Sequence, residues 1–367
     1  MWDTKGKKYL DFLSAYSALN HGHCHPEIIK TLRTQSRKLT ITSRAFYTDA
    51  LGEALQSLTK TFGMDRAIMM NTGCEAVETA VKVTRRWGYE VKKIPQDKAK
   101  VIFCLGNFWG RSIAACGSSD DPDRYHNFGP FAGLNFDLVP FDDIPALEQA
   151  FKDPNVAGFV FEPIQGEAGV VIPKDGYLRA VRELCTKHNV LMIADEVQTG
   201  LGRCGKALAC DWEGVKPDVV ALGKSLGGGV MPVSATLARK DVMDVLVPNS
   251  HGSTFGGNPL AARLVVTSLS VMQTEDFAGK AHHLGELLRS KLATNDVVKI
   301  VRGRGLMTAL EVDPKAGAWN FCLKLAAKGL LAKPTHEHIV RLAPPLIISE
   351  AQILESAALI VEVSKSF

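Results

Sequence analysis

The stretch from Val190 to Gly229 reads V-L-M-I-A-D-E-V-Q-T-G at its start (190–200) and P-D-V-V-A-L-G-K-S-L-G-G-G at its end (217–229). Two short apolar runs each deliver charge at their C-terminal ends. The first stops at Asp195 and Glu196, the second at Lys224 inside a glycine-rich loop. Runs of this length, separated by turn residues, predict parallel strands buried on both faces. In open α/β sheets, the crevice beyond the carboxyl ends of the strands is where ligands bind. An acid and an amine presented there suit pyridoxal 5′-phosphate. The amine can condense with the cofactor's aldehyde, and the acid can pair with its pyridinium nitrogen. A nucleotide phosphate loop is excluded by spacing, because G-x-x-x-x-G-K-[ST] would need glycine where Asp218 stands.

Working outward, the same pattern recurs. A strand at Arg66–Met70 runs into N-T-G-C-E-A (71–76), and a helix follows with Ala76, Ala80, Val83 and Trp87 on one face. Free amides at such a helix start make an anion site, with a plain N-cap by Asn71 or Thr72 as the equal alternative. Strand 101–104 ends in L-G-N-F-W-G-R (105–111). That loop sets two exposed-looking aromatics, Phe108 and Trp109, beside Arg111. Strand 156–161 ends in E-P-I-Q-G-E-A-G (162–169), and a helix is expected over Gly176–His188. The region 117–136 reads as a long ordered loop. Strands alternating with helices predict an α/β fold with a mostly parallel sheet in a large domain.

The pattern changes after a helix at Ala261–Met272. A helix over Ala281–Ala293, short strands at Val298–Arg302 and Met307–Val312, a helix near Ala318–Lys328 and a final helix predict a smaller α+β C-terminal domain. The expected divisions are 1–27, an incomplete N-terminal segment packing with the small domain, then 28–275 and 276–367. The first residues, W-D-T-K-G-K-K-Y-L, read as a hairpin, and Pro26 opens a helix.

Composition narrows the function classes. The 367 residues are 46% hydrophobic and 22% charged, with a net charge of +4 too small and dispersed to argue for nucleic acid. No apolar run approaches a membrane span. The eight cysteines form no C-x-x-C pair, so they read as reduced intracellular thiols, with cytoplasm and mitochondrial matrix both open. His21, His23 and His25 alternate, but a polar turn outweighs a metal site there, and none is expected elsewhere.

Taken in order, N-T-G-C-E-A, G-N-F-W-G-R, E-P-I-Q-G-E-A-G, A-D-E-V-Q-T-G-L-G-R (194–203), G-K-S-L-G-G-G and H-G-S-T-F-G-G-N-P (251–259) resemble the class III, fold-type I aminotransferases over the whole chain. The resemblance implies that the mostly parallel sheet of the large domain is seven-stranded. S-A-Y-S-A-L-N-H-G-H-C-H-P (14–26), G-N-F-W-G-R-S and L-A-K-P-T-H-E-H-I-V-R-L-A-P-P-L (331–346) most resemble the members that act on ornithine. The resemblance implies transfer of the δ-amino group of ornithine to 2-oxoglutarate by a ping-pong scheme, giving glutamate 5-semialdehyde and glutamate. Acetylornithine or 4-aminobutyrate is the alternative amine, and a catalytically silent relative the remaining one.

Carried over by position, the resemblance makes Lys224 the Schiff-base lysine and Asp195 the pyridinium partner. It puts Gln198 at the cofactor's phenolic oxygen, Phe108 and Val197 on its two faces, and Gly73 and Cys74 on its phosphate. It implies that Thr254 reaches the cofactor of a second subunit, hence a homodimer with shared sites. On the substrate side it implies that Arg111 holds the distant carboxylate and that Tyr16 lines the pocket, where 4-aminobutyrate enzymes carry a smaller aliphatic residue. Glu167 and Arg341 match a pair that bridges for ornithine and opens when a keto acid's carboxylate takes Arg341. Family members carry some tens of residues before the W-D-x-x-G turn, including a tyrosine that assists Arg111.

Overall fold

The computed structural model describes residues 1–292 and 294–367. Seven strands form the main sheet: β1 (Arg66–Met70), β2 (Lys100–Cys104), β3 (Phe136–Val139), β4 (Val156–Phe161), β5 (Leu191–Asp195), β6 (Val219–Leu222) and β7 (Ser234–Ala238). Their order is β1-β7-β6-β5-β4-β2-β3. β7 is antiparallel to both its neighbours, and the other pairings are parallel.

β4, β5 and β6 are buried along their whole length. Their side chains divide by alternation between two cores. Leu191, Ile193, Val219 and Ala221 pack with Ala76, Ala80, Val83 and Trp87 of a helix over Gly73–Glu90. Met192 and Ala194 pack on the opposite face with Val181, Leu184 and Cys185 of the helix Tyr177–His188. Such double coverage is why these strands read as continuous apolar runs. The helix Pro26–Ser36 begins where expected, and a second, Asp49–Phe62, is capped by the Thr48 side chain.

Two regions depart from expectation. S-A-T-L-A at β7 has no Val or Ile and gives no strand signal, yet it is buried at all five positions. Pairing on both edges overrides weak propensity there. The region 117–136, expected as loop throughout, holds a one-turn helix at Pro122–Tyr125 and enters the edge strand β3 at Phe136. Beyond Pro259–Thr274, the next helix begins at Phe277 rather than Ala281 and runs to Lys291; Ala293, its expected end, lies outside the described residues.

A second sheet, antiparallel, contains β8 (Val298–Arg304), β9 (Met307–Val312), β10 (Lys333–Thr335) and β11 (Ile339–Leu342) in the order β10-β11-β9-β8. The N-terminal segment is stitched to it. Trp2 pairs with Lys8 across the expected turn, Leu10–Asp11 pairs in parallel with Leu330–Leu331, and Ala343 N donates to Phe12 O at 2.7 Å. Arg203, fully buried, joins three parts of the chain. Its guanidinium donates to Leu306 O, Pro344 O and Asn20 Oδ1 at 2.7–2.9 Å. Among the described residues, no helix is long and apolar enough to cross a membrane.

His21, His23 and His25 turn to separate partners: Ser268 O, Asp11 Oδ2 and Glu275 Oε1. No cluster among the described residues could hold a metal ion. All eight cysteines are free, and only Cys24 is exposed.

Candidate active site

The carboxyl ends of β5 and β6 open on a cavity of about 180 Å³, lined by Asp195, Val197, Gln198, Lys224, Glu162 and Phe108, with Gly73 and Cys74 at one end. The strand geometry explains the meeting. β5 and β6 are neighbours in parallel register, Asp195 opposite Ala221, so the residues just past each strand share one edge. Lys224 stands in the left-handed region at φ +46°. That conformation costs a residue with a Cβ about 1–2 kcal/mol, and here it follows the Gly223 turn.

Burial sets the charges. It drives the Lys224 amine below its ordinary value, against the opposing pull of Asp195, Glu162 and Glu167. It pushes the Asp195 carboxyl up to about 6, although Val197 N–H donates to Oδ1 at 3.0 Å. Glu162 is pushed further, to about 8, by burial and then by the Asp195 charge. Its two oxygens accept Phe108 N at 3.1 Å and Gly166 N at 3.0 Å, so one carboxyl fastens two loops of the cavity wall. No role was drawn for Glu162 from the sequence. An acid after a strand is common, and only the approach of both loops identifies this one as buried.

The anion end is a helix start. The Thr72 hydroxyl accepts Glu75 N at 3.2 Å, and the Glu75 carboxylate accepts the amides of Asn71 and Thr72 at 3.1 and 2.7 Å. Thus the capping box and an anion site, read from the sequence as alternatives, do not exclude each other: the cap serves the amides around the first-turn ones. The first-turn amides of Gly73 and Cys74 have no helical acceptor by construction of the α-helix and point out of its positive end. Close approach requires glycine here. A Cβ on Gly73 would lie 2.7 Å from Val197 Cγ1, and one on Gly110 (φ +146°) would lie 2.6 Å from Cys74 Sγ.

Phe108 is half-buried, with the Arg124 guanidinium 4.8 Å and that of Arg111 6.0 Å from its ring centre. Trp109 is not exposed as expected. It is buried, stacks on Phe103 and donates Nε1–H to Ser118 Oγ at 2.7 Å. A buried amine, a buried acid, an anion-binding helix start and apolar walls at Phe108 and Val197 together fit pyridoxal 5′-phosphate.

The second part of the site lies beside the first. Arg341 of β11, 4% exposed, donates Nη1–H to Glu167 Oε1 at 2.6 Å and Nη2–H to Oε2 at 3.3 Å. Burial opposes the Glu167 charge, but Arg341, joined by Lys224 and Lys333, outweighs it and holds the carboxyl below its ordinary range. The Arg341 guanidinium sits 5.6 Å from the Tyr16 ring centre. Tyr16 belongs to a run no sequence signal announced. Ser14, Ala15, Tyr16 and Ser17 all have left-handed backbones, φ 45–72°, without a glycine among them. Asp11 Oδ1 anchors the run by accepting Leu13 N and Ser14 N at 3.0 and 2.8 Å. Gln198 lines both the Lys224 cavity and the neighbouring one at Tyr16 and Arg341.

The structure therefore brings together Lys224, Asp195, Gly73, Cys74, Phe108, Val197 and Gln198 around one cavity, with Tyr16, Glu167 and Arg341 adjoining. Arg111 is exposed and outside the cavity lining, its guanidinium 6.0 Å from the ring centre of Phe108. Thr254 is exposed outside the lining of the cavity in its own chain.

Comparison with known proteins agrees with this geometry. The family model "Aminotransferase class-III" matches residues 1–363. The chain is 55% identical over 362 residues to the mitochondrial ornithine aminotransferase of Drosophila melanogaster, covering 98% of this chain and 84% of that one. A crystal structure of ornithine aminotransferase from Toxoplasma gondii superposes with a TM-score of 0.97 at 49% identity, over 100% of this chain and 88% of that one. A structure titled acetylornithine aminotransferase, from Elizabethkingia anophelis, matches with a TM-score of 0.90 at 48% identity, covering 100% and 91%. With a family model spanning nearly every residue and the amine and acid of its chemistry at adjacent strand ends, the chain belongs to the class-III aminotransferases, enzymes that work with pyridoxal 5′-phosphate.

Proposed function

We propose that the chain transfers the δ-amino group of ornithine to 2-oxoglutarate, releasing glutamate 5-semialdehyde and glutamate. The observation that carries this reading is the Glu167–Arg341 bridge beside the Lys224 cavity. Such an enzyme must accept two amines in turn, one with its carboxylate far from the reacting carbon and one with it adjacent. An arginine that is masked by an acid for the first, and released for the second, meets that requirement.

Pyridoxal 5′-phosphate supplies a ring that accepts the electrons left behind when a proton leaves the substrate carbon. The chain's own residues do the rest. Lys224 would hold the cofactor, and burial, which lowers its basicity, favours the neutral amine that can attack and later carry a proton. Asp195 would face the ring nitrogen as an anion and keep it protonated. Glu162 fixes the loops bearing Phe108 and Gly166, so the apolar face stays registered on that acid. Gly73 and Cys74 would bind the phosphate through backbone N–H groups. Arg111, exposed beside Phe108, is the residue for the far carboxylate of ornithine, as a guanidinium binds a carboxylate through two parallel hydrogen bonds.

The reading includes a homodimer. Phe46, Tyr47 and Phe255 stand exposed, and Arg44 Nη1 donates to Gly256 O at 3.0 Å, which ties the segment bearing Phe46 and Tyr47 to the one bearing Thr254 and Phe255. Large aromatics left exposed in this way support an interface there.

Acetylornithine is the second reading, favoured by the similarity to the Elizabethkingia protein. Paired assays of the purified holoenzyme decide. Formation of glutamate 5-semialdehyde from ornithine, well ahead of turnover of acetylornithine or 4-aminobutyrate, is expected. Preference for acetylornithine overturns the proposal.

A further inference from the structure

β10 carries a cation that the reading above leaves without a role. Lys333 stands directly opposite Arg341 in the register of β10 and β11, and directly opposed residues on antiparallel strands share a face. Both reach the same ring: the Lys333 ammonium lies 5.2 Å and the Arg341 guanidinium 5.6 Å from the centre of Tyr16. Glu167 is tied to that strand by its main chain, since the Thr335 hydroxyl donates to its carbonyl at 2.8 Å. Its backbone is thus fixed while its side chain is held by Arg341, the residue that Lys333 faces across the ladder. The charge of Lys333 is already felt at the Glu167 carboxyl, which burial disfavours and Arg341, Lys224 and Lys333 stabilise.

A keto acid that occupies Arg341 must displace Glu167. The displaced carboxylate then loses both hydrogen bonds to the guanidinium fork, and a partly buried carboxylate without a partner is costly. We propose that Lys333 is the second partner of Glu167, receiving the carboxylate when a substrate carboxylate takes Arg341. Lys333 thereby sets the balance between the two half-reactions rather than the rate of the chemistry. The inference rests on the two-amine reading of the site.

The test compares Lys333→Met and Lys333→Arg with the unmodified holoenzyme, following each half-reaction separately by the absorbance of the bound cofactor. Lys333→Met is expected to slow the 2-oxoglutarate half-reaction at limiting keto acid about ten-fold more than the ornithine half-reaction, within the usual range for coupled sites. The loss should appear in the half-saturating concentration. Lys333→Arg is expected to restore most of it. Calorimetry with glutarate, which carries the two carboxylates without the keto group, is expected to register a similar weakening. Equal slowing of both half-reactions, or unchanged glutarate affinity, overturns the inference. If the unmodified enzyme does not react with ornithine at all, the two-amine reading fails instead.

Discussion

The crevice at Lys224 and the gate at Arg341 adjoin, yet they control charge by opposite means. In the crevice, burial decides: it lowers Lys224, and raises Asp195 to about 6 and Glu162 to about 8. At the gate, pairing decides: burial acts on Glu167 too, but Arg341 with Lys224 and Lys333 outweighs it. The crevice rests on strands buried on both faces. The gate is assembled from the N-terminal segment, the loop after β4 and two strands of the antiparallel sheet. Fixed charges suit a reaction that must be the same in both half-reactions. Exchangeable pairs suit a choice that must change between them. Damage to the crevice should therefore abolish the reaction, and damage to the gate should only redistribute it.

The hardest break is Lys224→Ala. It removes both the attachment and the proton carrier, so turnover should fall by at least ~10⁴-fold, together with the visible absorbance of the holoenzyme. Retention of both would refute the crevice assignment. At the gate, Tyr16→Ile removes the ring that faces Arg341 and Lys333. The ratio of kcat/KM for ornithine to that for 4-aminobutyrate should drop by about ten-fold, the value of roughly 1.4 kcal/mol of selective contact. An unchanged ratio would detach Tyr16 from specificity.

The same contrast governs what could be read from the chain. Lys224 and Asp195 were legible because apolar runs of four or five residues fix strand ends, and parallel neighbours place those ends together. β7 was not, because S-A-T-L-A is held by its neighbours and not by its own propensity. The gate residues Glu167 and Arg341, 174 positions apart, came only through the resemblance. No local periodicity joins a loop after β4 to β11. The left-handed run at Ser14–Ser17 gave no signal either, since glycine, the usual mark of positive φ, is absent from it. Glu162 stood in a quoted motif without a role, because its buried state depends on two loops closing over it.

Glu162 supplies the finest test of the contrast, in the protein free of cofactor. Its ordinary value is 4.5 and its folded value about 8. Between those, the unfolded chain has released the proton and the folded one retains it. The folded state binds more protons, so stability falls as pH rises through this window. Asp195, raised from 3.8 to about 6, acts with the same sign but is spent above about pH 6. His21 and His251, which burial holds below 6.5, act with the opposite sign in the lower part of the interval from about pH 6 to 8, so Glu162 is isolated there by the difference between the unmodified protein and its variant. Glu162→Gln should flatten the decline there by up to ~1.4 kcal/mol per pH unit, whatever its effect on absolute stability, as measured by denaturant unfolding at a series of pH values. Gln has one acceptor for the two amides of Phe108 and Gly166, so a general loss of stability is expected and does not bear on the slope. A slope unchanged by the substitution would mean that Glu162 is ionised in the folded protein and that the crevice, like the gate, holds its acids by pairing.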